Sequence, residues 1–225
     1  MREWETRRLK TFLTETKEIV GEKSSDYTLL SLTKSGVIVR DMSAGGKFPS
    51  DFRTYKIVSS GQIIFCLFDV DETPRTVGLS KHNGMITGAY NIFNITNINP
   101  KFLEYYFLAI DDVKGLKPLY TGLRKVINKD IFLQLKILFP PRDEQDQIVR
   151  YLDWKVSGIN KYVKFIYGES IIDPGVLESH PKSLLSLLTE YRSRLRTCLV
   201  SGKRGKKVRR QSKRRGNRSE PGRED

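Results

Sequence analysis

Two consecutive prolines near the middle of the chain separate two different sequence patterns. Before Pro140 and Pro141 lies the apolar run LKILF, and after them comes RDEQDQIVRYLDWKVSGIN, which is acidic at its start and amphipathic beyond it. Proline has no N–H to donate to a neighbouring strand. The pair therefore predicts that a strand ends at Phe139 and that a helix begins beyond it.

The segment after the prolines has the spacing of a helix with one apolar seam. Its apolar residues step by 4, 3, 4 and 3, at Leu152, Val156, Ile159, Val163 and Ile166. Asp143 and Glu144 lie in the first turn, where the helix dipole favours carboxylates. At 1.5 Å per residue, a helix over 143–166 would be about 36 Å long.

A second seam with the same spacing follows the stretch YGESIIDPGVLESHP, which Pro and Gly interrupt. Its members are Leu184, Leu188, Tyr191, Leu195 and Cys198. Such seams are typical of paired helices. Neither is long enough to decide between three partners: the other seam, the globular part of the chain, or a second molecule.

The first 95 residues have the pattern of a small sheet. The turn sequences TKSG, SSG and KHNG each lie between two apolar runs and predict three hairpins. Gly61 in the second turn and Asn83-Gly84 in the third are suited to the positive φ of tight turns. At least five short strands are expected, in a curled, mostly antiparallel sheet.

Helix signals follow the predicted strands. Asn99-Pro100 is typical of a helix start, and Asn128 predicts the start of a second, short helix in NKDIFLQL. The first helix would place five apolar residues on one face: Phe102, Leu103, Tyr106, Phe107 and Ile110. The predicted fold class is α+β, a mostly antiparallel curled sheet with a few helices, followed by an extended helical or coiled-coil segment.

Positive charge is concentrated near the end of the chain. The formal net charge is +14, and residues 201–225 hold eleven Lys/Arg against three Asp/Glu, or +8 of that total. These residues have almost no apolar side chains and predict a disordered basic tail. The remaining excess on the body is compatible with a polyanionic partner.

The sequence has no motif of a known catalytic or cofactor site. Glycine-rich phosphate loops and a GxSxG nucleophile turn are missing, and His82 and His180 stand alone. Asp69, Asp71 and Glu72, with Lys81 nearby, raise the alternative of a metal-dependent nuclease, but a solvated acidic loop is favoured. No catalytic residue, cofactor or metal is expected.

The cellular location is predicted from the lack of a membrane-spanning run and of a signal peptide in the sequence. No apolar run approaches the roughly 20 residues that span a bilayer, and the opening MREWETRRLK lacks the apolar core of a signal peptide. Cys66 and Cys198 lie far apart in apolar runs, typical of buried thiols in a reducing compartment. A cytoplasmic protein without a membrane partner is expected.

Two segments carry a resemblance to a known family. FPPRDEQDQIVRYLD resembles the PPLxEQxxIVxxLD segment that ends the target-recognition domain of specificity (S) subunits of type I restriction–modification systems, and LLTEYRSRLRTCLVSGK resembles their LLxEYRxxLIxxxVTGK ending. YKIVSSGQIIFCLFDVD, VGLSKHNGMITGAYNIF and TGLRKVINKDIFLQLKILFPP follow the family's order of strand, turn and loop. The similarity covers residues 4 to about 203.

This resemblance implies a non-catalytic protein that reads a sequence in double-stranded DNA. Separate methyltransferase (modification) and restriction subunits would carry out DNA modification and cleavage in phage defence. The implied organisation is a target-recognition domain at 1–141, a helical dimerisation and spacer region at 142–202 with a loop insertion at 167–181, and the disordered basic tail at 203–225.

The chain departs from the family pattern in three ways. It carries one recognition domain where specificity subunits commonly carry two, which predicts a homodimer, pairing with a second specificity half, or a truncated product. The 167–181 insertion and the basic tail are also outside the pattern. The alternative functions are a stand-alone nucleic-acid-binding protein that acts mainly through its tail, and a non-functional remnant or decoy.

Candidate residues follow from the recognition role, in which basic and amide side chains contact phosphates and base edges. Candidate DNA-binding residues are Lys34, Arg40, Lys47, Arg53, Arg75, Lys81, Tyr120, Arg124 and Lys125. Candidate helix-pairing residues are Leu152, Val156, Ile159, Val163, Leu184, Leu188, Tyr191 and Leu195. For each basic residue the alternative is an ordinary solvated charge, and for Tyr120 it is a half-buried aromatic.

Overall fold

The computed structural model describes residues 4–41, 49, 51–121 and 125–167. The strands are β1 (Glu5–Arg8), β2 (Leu13–Thr16), β3 (Leu30–Thr33), β4 (Gly36–Val39), β5 (Lys56–Val58), β6 (Ile63–Phe65), β7 (Val77–Leu79), β8 (Gly84–Ile86), β9 (Asn91–Ile95) and β10 (Lys136–Phe139). The helices are α1 (Pro100–Asp112), α2 (Lys129–Leu133) and α3 (Arg142–Tyr167). The predicted α+β class is confirmed.

In the described residues, the strands form four small sheets with antiparallel pairing between neighbours. The largest sheet has the order β2-β9-β6-β7, and three two-stranded sheets pair β1 with β10, β3 with β4, and β5 with β8. Ile63 of β6 lies opposite Phe93 on one side and Leu79 on the other. The predicted antiparallel pairing is confirmed, and it is divided among several small sheets.

One of the three predicted hairpins is confirmed. The turn TKSG joins β3 to β4, with Thr33 opposite Gly36 and Leu30 opposite Val39. Gly36 has a φ of 95°, a conformation that glycine adopts without the steric cost of a Cβ.

The predicted hairpins at SSG and KHNG are wrong. β5 pairs with β8, and β6 pairs with β7 and β9, so both turns connect strands of different sheets. The two turns instead bond to each other: Gly61 N donates to Ser80 O at 2.8 Å, and Ser60 N donates to Asn83 Oδ1 at 2.8 Å. These contacts between turns take the place of the predicted hairpin pairing, whereas the positive φ predicted for Gly61 is confirmed at 90°.

Gly84 is required by close packing and not by a turn. It begins β8, and a Cβ at this position would lie 2.3 Å from the Thr28 carbonyl oxygen. Met85, the next residue, donates its N–H to that same carbonyl at 2.8 Å. The Asn-Gly pair therefore serves a strand contact, which explains why its hairpin signal misleads.

Both faces of the largest sheet are covered. On one face, the ring of Phe65 lies 4.9 Å from that of Phe107 in α1 and 4.8 Å from that of Phe132 in α2. On the other face, Ile64 and Ile92 pack in a cluster with Val58 and other residues of the smaller sheets. The central strand β6 thus contributes to two layers of core.

The first helix forms as predicted. The Asn99 side chain accepts hydrogen bonds from the N–H groups of Lys101 and Phe102, and Pro100 is the first helical residue. All five residues of the predicted apolar face are buried. Glu104 and Asp111 are buried on α1 as well, where they accept from Leu79 N at 3.0 Å and Thr76 N at 3.1 Å and so bind the edge strand β7.

The change of pattern at the two prolines is confirmed. β10 ends at Phe139, and α3 begins at Arg142 with Asp143 and Glu144 in its first turn. The buried Gln145 side chain donates to Pro140 O at 2.8 Å and accepts from Asn99 N at 2.8 Å. This residue therefore ties the strand end, the start of α1 and the start of α3 together.

The start of α3 packs on the globular part of the chain, one of the three partners that the sequence left open. Gln145 and Val149 are buried, and the predicted seam residues Leu152 and Val156 continue that face and are partly buried. The side chains of Ile159 and Val163, and all of residues 168–225, lie outside the described part. No helix in the described ranges is long and apolar enough to cross a membrane.

Candidate nucleic-acid interface

The predicted DNA-binding residues lie at several separate places on the surface. Lys34 is exposed in the β3–β4 turn, Arg40 is exposed just after β4, and Lys81 is exposed in the turn before β8. Arg40 N donates to Leu29 O at 2.8 Å, which fixes its backbone beside β3. Lys47 and Arg124 lie outside the described residues.

Arg53 is held by two carboxylates. Its guanidinium donates to Asp51 at 2.9 Å and to Glu22 at 3.3 Å, while its own N–H donates to Asp51 at 2.8 Å. The hydrogen bonds that Arg53 donates to Asp51 and then to Glu22 raise the pKa of its guanidinium. Arg53 thus presents an oriented cation whose charge is locally balanced.

Arg75 joins the start of β7 to the end of α1. Its Nη1 lies 3.4 Å from Asp111 and 3.1 Å from Asp112, and the Arg75 side chain is only 18% exposed. Asp111 also accepts from Lys114 Nζ at 3.0 Å and from Thr76 N at 3.1 Å. This arrangement gives Arg75 a structural role whatever else it contacts.

Tyr120 and Lys125 come together at Asp71. The Tyr120 hydroxyl donates to Asp71 Oδ1 at 2.6 Å, Lys117 Nζ lies 3.1 Å from Asp71, and Lys125 Nζ contacts both Asp71 and Glu72. The hydrogen bond from Tyr120, then the contacts with Lys117 and Lys125, outweigh desolvation and hold the pKa of Asp71 well below its usual value. These contacts join the loop at 69–73 to the segment at 117–126.

The acidic loop is therefore paired, and the expectation of a solvated loop is wrong for Asp71, whose side chain is 15% exposed. The residues that pair with it are Tyr120, Lys117 and Lys125, and Lys81 is not among its described partners. Within the part of the chain that the structure describes, no group of three His, Cys, Asp or Glu side chains is arranged to hold a metal ion.

Sequence reasoning missed a group of three lysines around Glu15. Glu15 Oε2 lies 2.7 Å from Lys129 Nζ and 3.6 Å from Lys17 Nζ, and its Oε1 accepts from Asn91 at 3.0 Å. Lys56 Nζ donates to the Tyr90 carbonyl at 2.6 Å and lies close enough to Glu15 and both other lysines for their charges to affect its pKa. We call Lys17, Lys56 and Lys129 the lysine cluster.

Non-local pairing explains why these lysines were missed. They come from the end of β2, the start of β5 and the start of α2, and an antiparallel bridge between Ile19 and Lys56 brings two of these segments together. One local signal was present. Glu15 follows the buried Leu13 by two residues, so it lies on an inward strand face, where a carboxylate needs a partner.

A polar cleft of about 600 Å³ lies beside the end of β2. Its lining includes Thr16, Ser59, Gln62 and Asn94. Gln62 Nε2 donates to Asn94 Oδ1 at 2.9 Å, and Gln62 Oε1 accepts from Ser59 N at 2.8 Å, so the glutamine amide is fixed in orientation. Asn and Gln side chains are among those that read base edges.

Comparisons with known proteins support the fold. No family model and no curated protein matches the sequence. A chain from a structure of a type I R-M system, described for its complex assembly and conformational transition, is 14% identical with a TM-score of 0.52, and the match covers 73% of this chain and 45% of that one.

Two further solved chains are similar at lower scores. The type I restriction–modification S subunit from M. genitalium is 16% identical with a TM-score of 0.47, over 72% of this chain and 42% of that one. The HsdS subunit from Thermoanaerobacter tengcongensis is 16% identical with a TM-score of 0.45, over 75% and 41%. The chain with the TM-score of 0.52 confirms the predicted resemblance at the level of the fold. The matches cover less than half the length of each solved chain.

Proposed function

We propose that this chain recognises a sequence in double-stranded DNA as a specificity module of a type I restriction–modification complex. It would perform no catalysis and would direct separate methyltransferase and restriction subunits to the site. The observation that carries the proposal is the fold similarity to a type I R-M chain over 73% of this sequence. The PPRDEQ junction and the EYR ending support it from the sequence.

The proposed DNA contacts divide into two kinds. Lys34, Arg40 and Lys81 are exposed basic residues at or beside turns, suited to phosphates or base edges. Arg53, Arg75, Tyr120 and Lys125 are oriented by carboxylate partners, so they would meet DNA with little loss of side-chain freedom. Lys47 and Arg124 remain proposed contacts outside the described residues.

The helical region would pair with that of a second recognition module, in a homodimer or with another specificity half. Leu152 and Val156 are only partly buried, which leaves apolar surface for such pairing. Ile159 and Val163, with the second seam at Leu184, Leu188, Tyr191 and Leu195, would extend it. Sedimentation at micromolar concentration, with and without the methyltransferase subunit, tests the pairing, and a monomer in both cases would contradict it.

Selection from randomised DNA duplexes tests the proposed function. The full chain, alone and with a type I methyltransferase subunit, is expected to enrich one defined sequence. Retention of all duplexes without enrichment would contradict sequence recognition. A variant without residues 203–225 separates the alternative, because loss of all binding in that variant would assign the affinity to the basic tail.

Arg124 offers a residue-level test of the same proposal. Arg124→Ala is expected to weaken binding to the selected duplex far more than to random duplexes, because a base contact depends on sequence. Equal losses on both duplexes would make Arg124 a phosphate contact instead.

A further inference from the structure

The Lys and Arg side chains on the described surface differ in how many carboxylates they form ion pairs with. Arg53, Arg75 and Lys125 each contact two carboxylates, so their positive charge is locally compensated. The lysine cluster has the opposite ratio, because Lys17 and Lys129 share one carboxylate, Glu15, and Lys56 bonds to a backbone carbonyl instead of a carboxylate. The charge of Asp130 contributes weakly to raising the pKa of Lys129, and the cluster keeps a positive excess when Asp130 is included.

The fold holds these lysines in place. The Glu15 side chain is only 11% exposed and is fixed by Lys129 and Asn91. Burial opposes its ionisation, but the hydrogen bonds from Lys129 and Asn91 and the charges of Lys129 and Lys17 outweigh burial and lower the pKa of Glu15. The carboxylate therefore stays ionised and anchors one lysine while its second neighbour, Lys17, remains 71% exposed.

Lys56 is held differently. It donates to the Tyr90 carbonyl at 2.6 Å, and burial lowers the pKa of its ammonium group. An incompletely solvated ammonium gains more from a nearby anion than one that is fully hydrated. Because its stem is already ordered, Lys56 would lose little conformational freedom when it meets a ligand.

We propose that the lysine cluster binds backbone phosphate of the DNA duplex and fixes the position of the duplex against the sheet. The proposal rests on the proposed function for the identity of the polyanion. Lysine suits this role because its ammonium is a compact point charge with three donors and needs no planar partner. Lys17, at 3.6 Å from Glu15, can exchange a weak ion pair for a phosphate contact.

A phosphate contact has a signature that a base contact lacks. It weakens all duplexes alike, and it contributes to the salt dependence of binding, with a slope of about −0.9 in log K against log salt for each phosphate neutralised on B-DNA. Lys17→Gln and Lys129→Gln are each expected to reduce the slope by about 0.9, with equal losses on random and selected duplexes. The measurement uses the full chain and both duplexes between 50 and 200 mM salt, about the range where such slopes are determined.

Two further variants control for damage to the fold. Glu15→Gln removes the carboxylate and preserves side-chain size, so it is expected to tighten binding to random duplex, whereas a structural defect would weaken it. Lys155→Gln on α3, where the ammonium lies 4.7 Å from the Trp154 ring, is the matched lysine away from the cluster and is expected to leave the slope unchanged. Thermal melts of all variants report on folding.

The outcomes separate this inference from the proposed function. If wild type binds duplex and the slopes of Lys17→Gln and Lys129→Gln equal its slope, the lysine cluster makes no phosphate contact, and the proposed function stands. The inference is also overturned if Glu15→Gln weakens binding to random duplex and the variant has the same melting temperature as wild type. If wild type binds no duplex, with or without the methyltransferase subunit, both proposals fail together.

Discussion

The Tyr105 hydroxyl donates a 2.5 Å hydrogen bond to Asp153 Oδ1 and so joins the middle of α1 to the fourth turn of α3. A second bond, from Asn99 Nδ2 to Asp146 Oδ1 at 2.6 Å, joins the starts of the same two helices. Burial, then the hydrogen bond to Asp153, raises the pKa of Tyr105. The two acceptors, Asp146 and Asp153, are about two turns apart on α3, and the buried Val149 lies between them in the sequence. The two bonds therefore orient α3 against α1.

The coupling between Tyr105 and Asp153 can be measured directly. Tyr105→Phe and Asp153→Ala are each expected to lower the free energy of unfolding by about 1 kcal/mol. A hydrogen bond to a charged group contributes about 1.5–3 kcal/mol, and solvent exposure reduces that value here. The double variant should cost little more than either single one, because one bond is lost in all three. Urea unfolding gives the three values, and simple additivity would show that the two residues do not interact.

Asp111 is expected to be the most sensitive carboxylate of α1. Its side chain is 1% exposed and accepts from Arg75, Lys114 and Thr76 N. Asp111→Ala leaves these donors without their shared acceptor and should cost about 3 kcal/mol, as in other broken buried pairs. Chemical denaturation of the folded chain provides the measurement.

Asp112→Ala is the matched control for that variant. Asp112 also contacts Arg75, but its side chain is 41% exposed. Its removal should cost less than about 1 kcal/mol, as for surface ion pairs. Equal costs for the two variants would mean that the buried hydrogen-bond network does not stabilise the contact between α1 and β7.

Local signals predicted the elements that depend on their own sequence. Asn99 and Asn128 cap the helices that follow them, and the prolines at 140–141 end β10. The apolar period of α3 predicted its helix, and Leu152 and Val156 of that period are partly buried next to the buried Val149. These features need only propensity and periodicity.

Features that depend on distant pairing were not predictable in the same way. The strongest hairpin signal, Asn83-Gly84, failed because β8 pairs with β5 and Asn83 bonds to Ser60. The same limit applies to the candidate site, because the sequence does not show whether a basic residue forms an ion pair with a distant carboxylate. Only the folded chain separates Arg75, with two carboxylates, from Lys17, which shares one.

Acid should weaken the link between the loop at 69–73 and the segment at 117–126. The folded pKa of Asp71 is depressed below its ordinary value of 3.8, so its stabilisation is present above that pH and is lost as pH falls through the folded pKa. Asp71→Asn should therefore make stability fall less steeply below pH 3.8 than in wild type. Urea midpoints measured from neutral pH downward give the two slopes.

Tyr120→Phe tests the main cause of the Asp71 shift. The Tyr120 hydroxyl makes the largest contribution to the depressed pKa, so its removal should reduce the acid-dependent loss only in part. The expected order of steepness is wild type, Tyr120→Phe, Asp71→Asn. Parallel curves for all three proteins would exclude Asp71 as a source of the acid dependence.

Two glycine-to-alanine changes should have opposite effects on stability. Gly84→Ala would place a Cβ 2.3 Å from Thr28 O and 2.9 Å from Leu30 Cγ, so backbone in the core must move. We expect a loss of about 3 kcal/mol or more in the free energy of unfolding, at the upper end of the usual cost of overpacking. A loss of soluble protein would have the same meaning.

Gly158→Ala is the matched change at an open position. No atom lies within 4 Å of the added Cβ, and the residue is exposed inside α3. Alanine in a helix interior is favoured over glycine by about 0.5–1 kcal/mol, so thermal unfolding should move upward by about 2–4 °C for 1 kcal/mol in a chain of this size. A lower melting temperature for Gly158→Ala would mean that α3 does not continue as a regular helix through this position. An unchanged melting temperature for Gly84→Ala would mean that Thr28 and β8 do not approach as closely as described.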